Sequence, residues 1–155
     1  MQNKKTIVKK NILFVDDEPN ILNGFKRILF DQRAIWEMSF ASSVDIALVR
    51  LEETCFDVIV SDVNMPGKNG FDLLKILQGS EKTKNIPVII LTGSQDTDFK
   101  RRALELGALD LLNKPVERED LLARLNSMLR LKSYQDNLEQ KVKERTAELE
   151  CSRMD

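Results

Sequence analysis

The chain has 155 residues, 24 basic and 25 acidic side chains, a formal net charge of -1, and no histidine. Without an imidazole it holds no Ser-His-Asp or Cys-His nucleophile system, no His-ligated zinc and no internal phosphohistidine relay, so any catalysis must rest on carboxylates, hydroxyls, Lys or a bound metal. Near-neutrality argues against direct nucleic-acid binding, which needs a concentrated basic excess, and the length suits one domain with a substantial core.

Residues 1–9 form a basic segment containing Lys4, Lys5 and Lys9. The apolar run behind it, Ile12-Leu13-Phe14-Val15, is too short for a signal peptide or a membrane span, and the expectation is a cytoplasmic protein without membrane contact. Cys55 and Cys151 are too few and too far apart for a disulfide framework.

Strands are predicted at 12–15, 36–40, 58–60, 88–91 and 109–112. Amphipathic helical patterns fall between them, built on Ile21, Phe25 and Leu29, then Val44, Leu48 and Leu51, then Phe71, Leu74 and Leu77, then Phe99, Ala103 and Leu106. Nearly all-apolar strands alternating with helices predict a doubly wound α/β sheet, parallel and covered on both faces. Pro19 suits the first turn of helix one, Gly79-Ser80 the end of helix three, Pro87 the start of strand four, and Gly107 the end of helix four.

After Pro115 no Gly or Pro occurs through Asp155. This predicts one long helix or two nearly continuous ones; a helix from about 118 to 150 would be about 50 Å long and would extend beyond the domain. A heptad rhythm runs through Leu121, Arg124, Met128, Leu131, Gln135, Leu138, Val142, Arg145 and Leu149, weakened at Arg124, Gln135 and Arg145. The expected division is a basic segment at 1–9, a domain at 10–130 and a helical coiled-coil linker at 131–155.

Open α/β sheets bind ligands beyond the carboxyl ends of their strands. There this sequence places Asp16-Asp17-Glu18 after strand one, Asp62 after strand three, Thr92 after strand four and Lys114 after strand five. Two like charges 4 Å apart cost about 4 kcal/mol at an effective dielectric of 20. Asp16, Asp17 and Asp62 together therefore call for a hard cation, Mg²⁺ or Mn²⁺. A divalent ion, a Lys and a hydroxyl around a carboxylate make a clamp for phosphoryl transfer, with the carboxylate itself as nucleophile. Taken singly, Asp16 and Asp17 could cap helix one, Asp62 could be a turn residue, Thr92 a strand end and Lys114 a solvated loop residue. Their conjunction at four strand ends favours the clamp.

The segments Phe14-Val15-Asp16-Asp17-Glu18-Pro19, Val60 to Phe71 with Asp62 and Pro66-Gly67-Lys68-Asn69-Gly70 inside it, Leu91-Thr92-Gly93 and Asn113-Lys114-Pro115 resemble the receiver domain of bacterial two-component response regulators. The resemblance covers roughly residues 10–130 and implies a flavodoxin-like sheet in the order 2-1-3-4-5. It implies that Asp62 accepts the phosphoryl group, that Asp17, Asp62 and the Asn64 carbonyl ligate Mg²⁺ with Asp16 acting through water, and that Thr92 and Lys114 contact phosphoryl oxygens. The donor would be a sensor histidine kinase or a histidine phosphotransfer protein, which fits a chain without histidine. On phosphorylation Thr92 would move toward the new group; the position three before Lys114, usually aromatic in the family, is Leu111, a departure from that coupling and otherwise plain strand core. Asn64 and Ser94 occupy positions that border the path of attacking water in similar proteins. Asp110 and Arg124 resemble charged positions through which some relatives dimerise.

The tail from Tyr134 to Leu149 resembles the linkers that join receivers to C-terminal modules, which implies a fragment of a longer regulator and a parallel homodimer through the C-terminal helix; a solvated monomeric helix is the alternative. Three functions are expected in descending order: a phosphorylation-dependent switch, a phosphorylation-independent scaffold, and a small phosphatase. Apart from its own phosphorylation and dephosphorylation the domain is expected not to be an enzyme.

Overall fold

The structure, a computed structural model, describes residues 8–93 and 97–153, with the side chains of the final helix described to residue 143. Lys4, Lys5 and Ser94 lie outside the described residues, as do the side chains of Arg145, Leu149 and Cys151.

In chain order the elements are β1 (Lys10–Val15), α1 (Pro19–Ile28), a 3₁₀ turn (Phe30–Gln32), β2 (Trp36–Ala41), α2 (Val44–Glu53), β3 (Val58–Asp62), α3 (Gly70–Gln78), β4 (Val88–Thr92), α4 (Thr97–Glu105), β5 (Asp110–Asn113) and α5 (Arg118–Arg153). The strands form one parallel sheet in the order β2-β1-β3-β4-β5. The expected doubly wound α/β fold is present. Strand ends differ from the apolar runs for a physical reason: parallel pairing continues through polar residues, so Asp62 and Thr92 are the last paired residues of β3 and β4. β5 starts one residue later than predicted, leaving Leu109 half exposed.

Alternation along each strand divides the core into two layers. Ile12, Phe14, Val58, Val60, Ile89 and Leu91 pack with Leu22 and Phe25 of α1 and with Leu121, Leu125 and Leu129 of α5. Leu13, Val15, Ile59, Val88 and Ile90 pack on the other face with Ala47 and Leu51 of α2, Leu73, Leu74 and Leu77 of α3, and Ala103 of α4. Helix starts follow local chemistry. Pro19 opens α1, Ser43 Oγ accepts from Ile46 N at 3.1 Å to cap α2, and Asn69 with Asp72 closes a reciprocal capping box on α3.

The predicted long helix is one continuous element, but its inner face is not the predicted seam. Leu121, Leu125 and Leu129 are buried on the sheet, whereas Arg124 is exposed. The early part of the heptad rhythm gives way to four-residue spacing because the partner there is a sheet, not another helix. Further on, α5 passes the amino edge of the sheet, where Lys10 Nζ donates to Ser133 Oγ at 3.2 Å and Asn85 Nδ2 to Glu139 Oε1 at 3.2 Å. Among the described residues, no helix is long and apolar enough to cross a membrane.

Candidate functional site

Strand parity aims the site. Asp16, Asp62 and Lys114 continue the alternating rows of Phe14, Val60 and Leu112, on the face covered by α1 and α5, while Thr92 continues the row of Ile90 on the other face. Because β1, β3, β4 and β5 are adjacent and parallel, all four residues meet at one rim.

Asp16, Asp62 and Thr92 are buried and Asp17 is half-buried. One carboxylate oxygen from each of Asp16, Asp17 and Asp62 lies within 4.8 Å of the others. Lys114 reaches into the cluster, with Nζ 3.1 Å from Asp62 Oδ1 and 3.2 Å from Asp16 Oδ2. The peptide joining it to Pro115 is cis. Asp62 Oδ1 also accepts from its neighbour's Val63 N at 2.9 Å, and Asp16 Oδ1 accepts from Glu18 N at 3.0 Å. Asp16 does not cap α1, whose N-cap is Glu18 without a side-chain cap bond; it ties down the turn before the helix while its other oxygen faces Lys114. Asn64 is exposed in the β3–α3 loop.

Burial pushes the Asp16 carboxyl above its ordinary range; the Glu18 N–H opposes that, the Asp62 charge adds to it, and the Lys114 charge opposes it. Desolvation disfavours the Lys114 ammonium, but its hydrogen bond to Asp62 and the charges of Asp16 and Asp62 outweigh this and raise its pKa. Lys114 is therefore a fixed cation. Three carboxylates against one ammonium leave excess negative charge, and an all-oxygen donor set of this span fits a hard divalent cation.

Two supporting features were not read from the sequence. Gly70, the first residue of α3, lies against the backbone of Asp62: a Cβ there would sit 2.6 Å from the Asp62 carbonyl oxygen and 2.9 Å from Val63 Cα. The available signal was a glycine, a poor helix former, immediately after a helix cap. Beside Lys114, residues Ile21, Gly24, Phe25 and Ile28 of α1 with Pro115 and Val116 line a mostly apolar groove of about 220 Å³. No composition signal marks it, because its two walls are about 90 residues apart in sequence.

Leu111 is half-buried against the α3 and α4 layer, as a strand-core residue would be. Asp110 and Arg124 face each other within the chain, Oδ2 to Nη1 at 2.7 Å, and so engage each other.

The response regulator receiver domain family matches residues 12–126. The two-component response regulator ORR21 of Oryza sativa subsp. japonica is 37% identical over 134 residues, 85% of this chain and 18% of that protein. The phosphate regulon transcriptional regulatory protein PhoB of Pseudomonas aeruginosa is 36% identical over 124 residues, 80% of this chain and 53% of that protein. The solved chemotaxis protein CheY4 of Vibrio cholerae superposes with a TM-score of 0.73 at 33% identity, over 79% of this chain and all of that one. The chain thus spans between about a fifth and about half of these two regulators' length. With the sheet order, the acidic rim and the Lys114 contact already in place, these likenesses agree on one conclusion: the chain belongs to the response regulator receiver domains of two-component systems.

Proposed function

We propose that this receiver is a phosphorylation-dependent switch in which Asp62 accepts a phosphoryl group from the phosphohistidine of a sensor histidine kinase or histidine phosphotransfer protein. The observation that carries this is the placement of Asp62: a buried carboxylate at a strand end, held by Lys114 and the Val63 N–H, with two further carboxylates beside it. A carboxylate oxygen of Asp62 attacks phosphorus, the P–N bond breaks with its electrons leaving on the partner's imidazole, and an acyl phosphate remains. Hydrolysis of that acyl phosphate by water resets the switch.

Asp16, Asp17 and Asp62, with the backbone carbonyl of Asn64, would hold Mg²⁺ or Mn²⁺. When bound, that ion neutralises charge on the phosphoryl oxygens. The chain's own residues do the rest: Lys114 pairs with a phosphoryl oxygen as the Asp62 charge is consumed, and Thr92 approaches the new group with its hydroxyl. The groove between α1 and the Pro115 loop offers the partner an apolar seat next to Lys114. Such a transfer places the chain in the cytoplasm, where kinases draw on ATP. Residues 10–130 act as the switch and 131–155 as a coiled-coil linker that pairs with a second copy and passes the state on. Neither nucleic acid nor membrane is a direct partner.

The test is Mg²⁺-dependent labelling with a small phosphodonor such as acetyl phosphate. Wild type should be labelled and Asp62→Asn should not. Equal labelling of both removes Asp62 from its role, and labelling of neither favours a scaffold.

A further inference from the structure

Along α5, Arg118 pairs with Asp31, Arg124 with Asp110 and Lys132 with Asp136. Arg130 differs. Neighbours on a helix surface stand three and four residues away, and for Arg130 these are Asn126, Ser127, Ser133 and Tyr134, none of them acidic. Among the described residues its guanidinium takes no carboxylate and makes no hydrogen bond.

A second cation reaches the same flank from the sheet. Lys10, the first residue of β1, is half-buried, and its Nζ donates to Ser133 Oγ at 3.2 Å without meeting a carboxylate among the described residues. Between Lys10 and the helix runs an open groove of about 800 Å³, lined by these side chains and by Asn137, with no acidic residue. In a chain of 24 basic and 25 acidic side chains, such a lining is a local excess of positive charge.

The donors are those of a phosphate site. A guanidinium offers a planar fork and an ammonium a mobile point charge, and the Ser127 hydroxyl and Asn126 amide add neutral donors beside them. Tyr134, the chain's one tyrosine, is 67% exposed one turn further on, so its ring is open to a flat partner. Asn137, three residues beyond, presents both a donor and an acceptor, as the edge of a heteroaromatic base requires. Arg130 and Tyr134 are about 6 Å apart along the helix axis, a separation that a nucleotide bridges between its phosphate and its base.

We propose that this groove binds a free nucleotide, with Arg130 and Lys10 on its phosphates, Tyr134 stacked on its base and Asn137 at the base edge. Two cations at one place suit a single small ligand. A polynucleotide needs a track of them, and a net charge of -1 opposes it. Lys10 begins β1 and Asp16 follows its end, so the groove lies about 20 Å from the acidic rim, at the opposite end of the strand. The site is therefore separate from the phosphoacceptor. A ligand held by both Lys10 and Arg130 would fasten α5 to the amino end of the sheet, where the helix leaves the domain.

Titration of ATP into the full chain in EDTA, followed by amide NMR shifts, tests this; the chelator keeps metal from bridging the triphosphate to the acidic rim. Expected are saturable shifts at Lys10 and between residues 123 and 137, with the amides around Asp16 and Asp62 unmoved. Arg130→Gln replaces an exposed side chain by another good helix former. It should weaken ATP binding about tenfold while leaving the melting temperature and acetyl phosphate labelling unchanged. Tyr134→Leu should weaken ATP binding about fivefold and leave inorganic tripolyphosphate binding unaffected. Adenosine, which lacks phosphate, should not bind at the same concentrations.

No shift at about 1 mM ATP overturns the site. Shifts confined to the rim do so too, as does ATP binding that survives Arg130→Gln intact. Tripolyphosphate that binds as tightly as ATP overturns the nucleotide class and leaves a bare anion patch. A short single-stranded oligonucleotide that binds more tightly than ATP and is lost with Arg130→Gln overturns the small ligand in favour of nucleic acid.

Discussion

Lys114 Nζ lies 3.1 Å from Asp62 Oδ1, although β4 runs between the strands that deliver them. The same ammonium is 3.2 Å from Asp16, so a single cation stands between two buried carboxylates. Removing one partner of a buried pair costs about 3–5 kcal/mol when nothing replaces it. Lys114 is partly exposed and the carboxyls can take up a proton, so a smaller loss is expected here. Lys114→Met should lose about 1–2 kcal/mol in metal-free buffer, and much of that should return with Mg²⁺, which offsets the same charges. Thermal melts in EDTA and in Mg²⁺ check this; a loss unaffected by Mg²⁺ would mean that Lys114 contributes packing alone.

Asp16 gives the opposite sign. Its pKa is raised in the fold, first by burial and further by the Asp62 charge. A group whose folded pKa lies above its unfolded value favours the fold while protonated and loses that contribution as pH rises through the folded pKa. The metal-free protein should therefore be strained by Asp16 at neutral pH. Asp16→Asn can keep the acceptor for Glu18 N while removing the charge, and should melt a few degrees higher than wild type at pH 7 in EDTA. The two should converge as pH falls below the carboxylate range. In Mg²⁺ the order should reverse, because the variant loses a metal-site carboxylate.

The fold and the acidic rim were legible for one reason: apolar runs covered on both faces stop near the rim at the strands' carboxyl ends, so the polar residues that follow them within one or two positions stand on that rim. That logic led directly to Asp16 and Thr92, while Asp62 and Lys114 stand one residue further on, behind Ser61 and Asn113. It could not place Gly70, because what matters there is the absent side chain against the Asp62 backbone. Nor could it separate the two uses of α5. Leu125 and Leu129 read equally well as part of a helix stripe or as a lapse from a heptad, and only the sheet beneath them decides. The Asp110 and Arg124 pair was visible as two charges but not as partners, since strand five and helix five come together only in three dimensions.

At the entrance to α5, Arg118 joins two helices. Its Nη2 meets Asp31 Oδ2 at 2.6 Å and its Nε donates to the Ile28 carbonyl at 2.9 Å. The hydrogen bond from Arg118 holds the Asp31 carboxyl below its usual range. A depressed folded pKa gives stability that is present above the unfolded pKa and lost as pH falls through the folded one. Asp31→Asn should therefore be slightly less stable than wild type at pH 7 and indistinguishable from it once acid has protonated Asp31. Asp31 is exposed and Arg118 partly so, so added salt should shrink the difference. A gap that persists at low pH would point to the Ile28 contact instead.

Two glycines would separate the chemistry proposed for Asp62 from the docking of the proposed donor. A methyl at Gly70 would collide with the Asp62 carbonyl and Val63 Cα, backbone atoms that cannot step aside without moving the Asp62 carboxylate. Gly70→Ala should therefore lose labelling from acetyl phosphate as well as from a phosphohistidine donor. Gly24 is the converse case. It lies within α1, a Cβ there meets nothing within 4 Å, and helix propensity alone should stabilise Gly24→Ala by about 0.5–1 kcal/mol. The new methyl would enter the groove beside Lys114 and Pro115. Gly24→Ala should consequently melt higher, label normally with acetyl phosphate, and receive phosphate more slowly from a phosphohistidine protein. Equal rates with the protein donor would show that the groove is not its seat, while the acetyl phosphate result would still report on Asp62 alone.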